Sequence, residues 1–136
     1  MNNENALHVL IGGKDILIRS SEVKEIVRPP SLTSVPMGPD HLLGLGNVHG
    51  QIVSVIDAGK CTSLTPAMQD KTAHTRILML RDPVVHVGIW VDEIKRVVRI
   101  SANDMAKSRS ISNGIQSLEI DGKRFEMLDC SKLLHK

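Results

Sequence analysis

The sequence predicts a mainly β fold of two small barrels packed on each other, with a few short helices. Three observations predict it. Short apolar, β-branched runs are separated by two-residue turn signals, Gly12-Gly13, His49-Gly50 and Asp121-Gly122, which is the pattern of hairpins. The chain also repeats itself. Residues 21–28 (SEVKEIVR) recur at 92–99 (DEIKRVVR), a shift of 71, and Asn47-Val-His-Gly50 with Ile56-Asp57 recurs as Glu119-Ile-Asp-Gly122 with Leu128-Asp129, a shift of 72. Finally, the 136 residues include one Trp, one Phe and no Tyr, so the core must be aliphatic. So short a sheet cannot cover its own apolar face, and each copied unit is expected to curl on itself.

Taken in order, residues 7–18 hold two apolar runs around Gly12-Gly13 and predict a hairpin. Ser21 offers an N-cap oxygen for a brief turn over 22–25, after which Ile26-Val27 return to β-type residues. Arg28-Pro29-Pro30 must break the ladder, because proline donates nothing to it. An extended connection to Gly38 follows. Pro39 at a first helical position, with Gly44 closing, predicts one helical turn over 39–43. The stretch 42–64 organises the chain: Ile52, Val53, Val55 and Ile56 carry its strongest strand signal, and His49-Gly50 supplies the turn before them. Asp57-Ala58-Gly59 stops that strand.

Residues 66–75 read as a polar linker dividing the chain nearly in half. Beyond it, residues 77–80 and 84–91 predict a hairpin across Arg81-Asp82-Pro83, Asp92 caps a short turn, and Val97-Val98 resume the β pattern. Ser101 and Asp104 are spaced as a capping box for a one- or two-turn helix. Residues 107–113 are a polar loop, and 118–120 pair with 125–128 across Asp121-Gly122. The expectation is one domain over 1–136, with sub-barrels at about 7–65 and 76–135 and strand exchange between them left open. The groove between the barrels is the natural place to bind something.

Composition narrows the function classes. A net charge of +2 from mixed charges, without a long basic run, demands neither nucleic acid nor an anionic membrane. The scarcity of aromatics removes the stacking platforms that single-stranded nucleic acid uses. No apolar run approaches the roughly 18 to 20 residues of a spanning helix. Cys61 and Cys130 have no CxxC spacing, and a reducing cytoplasm is the default expectation.

Candidate chemistry is thin. Gly44-Leu-Gly46 would need a third glycine at 49 and a following helix to bind a dinucleotide; His49 and a strand stand there instead. The six histidines have no HxH or HxxxH spacing with carboxylates, so no metal or other cofactor is expected. Ser54 and Asp57 lie near His49 in sequence, but no nucleophile elbow surrounds a serine, and no enzyme is expected. Lys95, Arg96 and Arg99 form a small basic cluster that suits a solvated face and could steer an acidic partner.

From Val9 to Leu134 the sequence resembles the CheW family, the coupling proteins of bacterial chemosensory arrays. The sharpest part is Gly44-Leu-Gly-Asn47-Val-His-Gly50 with the strand to Asp57, supported by Val23-Lys-Glu25-Ile26, the 39–43 turn, Val87-Gly-Ile-Trp-Val-Asp92 and the stretch from Leu128-Asp129 to Leu134. The resemblance implies two five-stranded, SH3-like barrels with a third apolar core between them. It implies a non-enzymatic adaptor that joins the cytoplasmic hairpin tip of a chemoreceptor to the regulatory domain of the histidine kinase CheA, with no nucleic acid and no direct membrane insertion. Receptor-binding positions fall at Val23, Glu25, Gly44 and His49, and kinase-binding positions at Ile94, Ala106 and Ile111. Three family arginines are replaced here, by His49, Gly59 and Ala106. A CheW-like scaffold of a twitching or type IV pilus pathway with a changed partner is the alternative. A small nucleic-acid-binding barrel is the second.

Overall fold

The three two-residue turns form hairpins in the computed structural model, which describes residues 3–62, 68, 70–112 and 114–134. Each turn holds both central residues at positive φ: Gly12 61° and Gly13 81°, His49 52° and Gly50 85°, Asp121 51° and Gly122 80°. That geometry matches the right-handed twist of the flanking strands. The first hairpin joins β1 (Glu4–Ile11) and β2 (Lys14–Arg19), the second β4 (Leu42–Val48) and β5 (Gln51–Ile56), and the last β10 (Ile115–Ile120) and β11 (Lys123–Leu128). The other strands are β3 (Val23–Val27), β6 (Arg76–Leu80), β7 (Val87–Val91), β8 (Glu93–Ile100) and β9 (Arg109–Ser112). Among the described residues there are also three short α-helices: α1 (Ala58–Thr62), α2 (Ala102–Ala106) and α3 (Cys130–Leu134).

The strands form a six-stranded sheet, β8-β1-β2-β11-β10-β9, and a five-stranded sheet, β3-β6-β7-β5-β4. The sequence repeat makes β8, β10 and β11 the counterparts of β3, β4 and β5. Without β9, both sheets then have one and the same order, with β1-β2 standing in the larger sheet where β6-β7 stand in the smaller. Each sheet therefore draws strands from both halves of the chain. One joint between halves is a parallel pairing in each sheet, β2 with β11 and β5 with β7. The other is antiparallel, β1 with β8 and β3 with β6.

Alternation along the strands sorts the side chains into three apolar cores. Ala6, Leu17, Val98, Ile100, Leu118, Ile120, Phe125 and Met127 fill the larger sheet. Val53, Val55, Ile77, Met79 and Trp90 fill the smaller. The residues between them in sequence, Val9, Ile11, Ile16, Ile18, Leu78, Leu80, Ile89 and Val91, meet in a third core shared by both sheets. Strands β1, β2, β6 and β7 are thus buried on both faces, and period 2 sends neighbouring side chains to different cores.

Local differences from the sequence reading have physical causes. Ser21 sits inside a 3-10 turn, Ser20–Glu22, that has no side-chain cap, and Val23 to Val27 are strand because their backbone pairs with β6. The helical turn expected over 39–43 is replaced by a tight turn in which Leu42 N–H donates to Pro39 O at 3.0 Å, and Leu42 already belongs to β4. Strand β7 begins at Val87 rather than Val84 because Asp82 Oδ1 accepts from the N–H groups of Val84 and Val85, at 2.8 and 3.0 Å, and widens the turn. Residues 109–112, expected as loop, pair with β10 as a sixth strand. The capping box forms: Ser101 Oγ accepts from Asp104 N–H at 3.0 Å and Asp104 Oδ2 accepts from Ser101 N–H at 3.1 Å. Part of the 66–75 linker lies outside the described residues; 70–74 are exposed and Thr75 is fully buried.

The duplicated Asp57 and Asp129 play one part twice. Asp57, buried, accepts Gly59 N–H at 2.9 Å at the start of α1, and Asp129 accepts Ser131 N–H at 3.1 Å at the start of α3. Beside α3 lies Glu22. Desolvation first, and then the charge of Asp129, raise its pKa above the ordinary value, against a smaller opposing effect of Arg19 and the Cys130 and Ser131 backbone. Burial, with Glu22 and Asp129 adding to it, pushes the Cys130 thiol well up as well.

Two predictions follow from this packing. Gly44 lies at a bulge with φ 155°, and a Cβ there would come within 2.8 Å of Thr33 O. Gly44→Ala is expected to cost about 1–3 kcal/mol in urea denaturation. A neutral effect would contradict the bulge geometry. Because the folded state raises the Glu22 pKa, it holds that proton more tightly than the unfolded chain does. Its contribution is full below the ordinary carboxylate range and is lost as pH rises through the folded value. Glu22→Gln should raise the melting temperature at pH 7 and leave it nearly unchanged at pH 4.

Candidate functional site

The edges of the smaller sheet are β3 and β4, yet its curl brings them back together. Val27 and Val48 both pack on the Trp90 core, and Thr33 bridges to Leu45 through two backbone hydrogen bonds of 2.8 Å. At the top of this seam the His49-Gly50 turn, held by Gly50 N–H donating to Asn47 Oδ1 at 2.9 Å, projects the imidazole toward β3. His49 Nε2 donates to Glu25 Oε2 at 2.7 Å. The two side chains remain accessible, 69% for His49 and 39% for Glu25. They border a polar cleft of about 250 Å³ that also includes Lys24, Gln51, Asp82 and His86. The sequence reading placed Glu25 and His49 in one functional group, and the structure brings them into contact.

Val23 and Gly44, assigned to the same group, are positioned differently. Val23 is buried in the shared core, and Gly44 is covered by the chain's own Leu32-Thr33. A partner would meet them only through the shape of what surrounds them. The crevice between the sheets is likewise filled by the shared core rather than open. What remains is a groove of about 410 Å³ at its rim, where Leu42, Val87, Leu133 and Leu134 are partly accessible over a wall that includes the buried Ile56. These groove residues were missed at the level of sequence. The available signal was the departure from strict alternation at Ile52-Val53 and Val55-Ile56: Val53 and Val55 face the core, which leaves Ile52 exposed and Ile56 in the wall of the groove.

The kinase-type positions separate in the same way. Ile94, on β8 opposite Val9, is partly buried against the shared core. Ala106 ends α2 and is exposed, while Ile111 on the edge strand β9 is 49% exposed. Helix α2 is fixed against the larger sheet by Met105, which packs on that sheet's core. Ala106 and Ile111 thus stand on either side of the two-residue link between α2 and β9, and Ile94 lies on the strand at the other edge of the same sheet.

Chemistry of other kinds finds no support in the arrangement. Asp57 is committed to α1 and His49 to Glu25, so Ser54, Asp57 and His49 are not assembled as a triad. Among the described residues no three His, Cys, Asp or Glu side chains could hold a metal ion, and no helix is long and apolar enough to cross a membrane. His8, unremarked in the sequence, is buried in the larger sheet, with Nε2 on Asp15 Oδ1 at 2.7 Å and its ring edge-on to Phe125.

Comparison with known proteins agrees with this geometry. The CheW protein of Helicobacter pylori is 29% identical over 107 residues, covering 76% of this chain and 64% of that protein. The CheW protein of Bacillus subtilis is 27% identical over 113 residues, covering 83% of this chain and 69% of that one. The chain thus matches about two thirds of the length of these curated relatives. The crystal structure of the scaffolding protein TtCheW from Thermoanaerobacter tengcongensis superposes with a TM-score of 0.79 at 19% identity, over 94% of this chain and 85% of that one. The CheW-like domain pattern matches residues 5–136, and the chain belongs to the CheW-like domain family.

Proposed function

We propose that this protein is a non-enzymatic cytoplasmic adaptor that couples a chemoreceptor to a CheA-type histidine kinase in a bacterial chemosensory array. Membership of the CheW-like domain family, whose relatives are named as chemotaxis proteins and one solved neighbour as a scaffolding protein, carries the reading. Two accessible faces on different sheets give it physical support, because an adaptor must hold two partners at once. The smaller sheet offers the Glu25-His49 cleft and the nearby apolar rim groove, which suits the helical hairpin tip of a receptor. The larger sheet offers Ala106 and Ile111 beside α2, which suits the regulatory domain of the kinase. A second reading, a scaffold of a twitching or type IV pilus pathway, is favoured by the replacement of three family arginines by His49, Gly59 and Ala106. Arginine brings a permanent charge and a forked donor set that none of these supplies.

The test is binding of the full chain to a purified kinase regulatory domain and to a receptor cytoplasmic hairpin, measured by calorimetry. Substituting Ile94 would disturb the shared core, whereas Ile111 is accessible. Ile111→Asp is expected to weaken kinase-domain binding about 10-fold or more, as loss of an apolar anchor does, and to leave hairpin binding and thermal stability unchanged. Loss of both interactions in a folded variant would contradict separate faces. Absence of binding to either partner would remove the adaptor reading.

A further inference from the structure

One carboxyl group ties helix α3 to the junction between the two sheets. Glu22 ends the 3-10 turn Ser20–Glu22 that carries the chain from β2 in the larger sheet to β3 in the smaller. Arg81 clamps that turn: its N–H donates to Glu22 O at 2.8 Å, and its guanidinium donates to the carbonyls of Ser21 and Val23. The Glu22 side chain points toward the start of α3, where it meets the Cys130 thiol and the backbone of Cys130 and Ser131. Its Oε1 is closed off from solvent and has no hydrogen-bond partner among the described residues. Asp129 sets a second carboxylate beside it, and Arg19, which offsets part of that repulsion, also donates to Glu4 at 3.3 Å. An ionised Glu22 is thus a buried negative charge next to another, and protonation removes it.

What Glu22 faces is one wall of the apolar rim groove. Cys130 is sealed into the shared core, and Leu133 and Leu134 pack against that core and line the groove. A helix of five residues cannot hold itself together in water, so its packing keeps it in place. We propose that α3 is a movable wall of the groove, seated while Glu22 carries a proton and released as Glu22 ionises. Seating makes Glu22 hold its proton more tightly, so the stabilisation of the seated helix is complete below the ordinary carboxylate range and fades as pH rises through the seated value. The remaining charges nearby do not compensate: Lys132 of α3 acts on Asp129, and Arg81 is spent on the backbone of the turn. Release uncovers Cys130 and takes Leu133 and Leu134 out of the groove wall, which deepens the groove toward the shared core. The device belongs to the fold and holds whichever partner occupies the groove.

Methyl NMR spectra of the full chain recorded from pH 5 to pH 8 test this. The Leu133 and Leu134 resonances should pass through one transition as pH rises, while those of Ile16 and Ile89, fully buried in the shared core, stay in place. Glu22→Gln, the neutral isostere, should lose the transition and keep the low-pH positions throughout. Asp129→Asn keeps an acceptor for Ser131 N–H but removes the neighbouring charge, and should move the transition to lower pH. Thiol modification followed by peptide mass spectrometry gives a second reading. At pH 8, Cys130 of the native chain should react about 3-fold or more faster than Cys130 of Glu22→Gln, because release of the helix exposes it. Resonances of Leu133 and Leu134 indifferent to pH, a transition that persists in Glu22→Gln or is unmoved by Asp129→Asn, or equal modification of Cys130 in the two chains overturns the inference. So does a transition in which Ile16 and Ile89 move together with α3, since that is unfolding of the whole core rather than release of one helix.

Discussion

Everything in this fold depends on the shared aliphatic core between the two sheets. Val9, Ile11, Ile16 and Ile18 from one sheet meet Leu78, Leu80, Ile89 and Val91 from the other, and all are essentially excluded from solvent. Each such side chain contributes about 1.5–3 kcal/mol through burial. Because the same four strands also face the separate core of their own sheet, they act as a double-sided partition. Removing one of them would expose two cores at once. With almost no aromatic bulk available, the protein reaches native packing by interdigitating branched aliphatic chains, which is where the β-branched richness of its strands comes from.

The candidate binding surfaces are what that core leaves over. The partition closes the space between the sheets, so its own apolar side chains reach a groove only at its rim, near α3, and the polar cleft lies at the seam where the smaller sheet folds back on itself. The seam is closed by the backbone bridge between Thr33 and Leu45 and by the Glu25-His49 pair. Positions that the family resemblance assigns to receptor contact divide accordingly into those enclosed by the fold, Val23 in the shared core and Gly44 beneath Leu32-Thr33, and those that remain accessible at the seam, Glu25 and His49. The same division holds on the larger sheet, where Ile94 packs against the core and Ile111 is exposed.

Much of this was legible from residues alone. The Gly12-Gly13, His49-Gly50 and Asp121-Gly122 turns are set by local backbone sterics, and all three hairpins form where they stand. The Ser101-Asp104 capping box is local too, and so is the strand over 51–56. Strand β9 was not legible, because Arg109, Ser110 and Ser112 have no apolar period and are held by pairing with β10 alone. The fate of residues 39–43 depended on Leu42 and Leu43 finding β5, a tertiary contact that outweighs a favourable Pro at the start of a helical turn. The repeat revealed which strands are equivalent and could not reveal which halves they join, since an exchanged and an unexchanged arrangement bury the same faces. Rim residues such as Leu42 and Leu133 carry no pattern that distinguishes a groove from a core.

The exchanged hairpins have a consequence for how the chain is made. The β1-β2 pair is apolar on both sides, but the strands that flank it, β8 and β11, lie some 70 to 110 residues further along the chain. Until β8 and β11 are in place, that hairpin has nothing to pair with on either side, and two apolar surfaces face water. Folding is then a late, all-at-once event with a long entropic search, slow for the size of the domain.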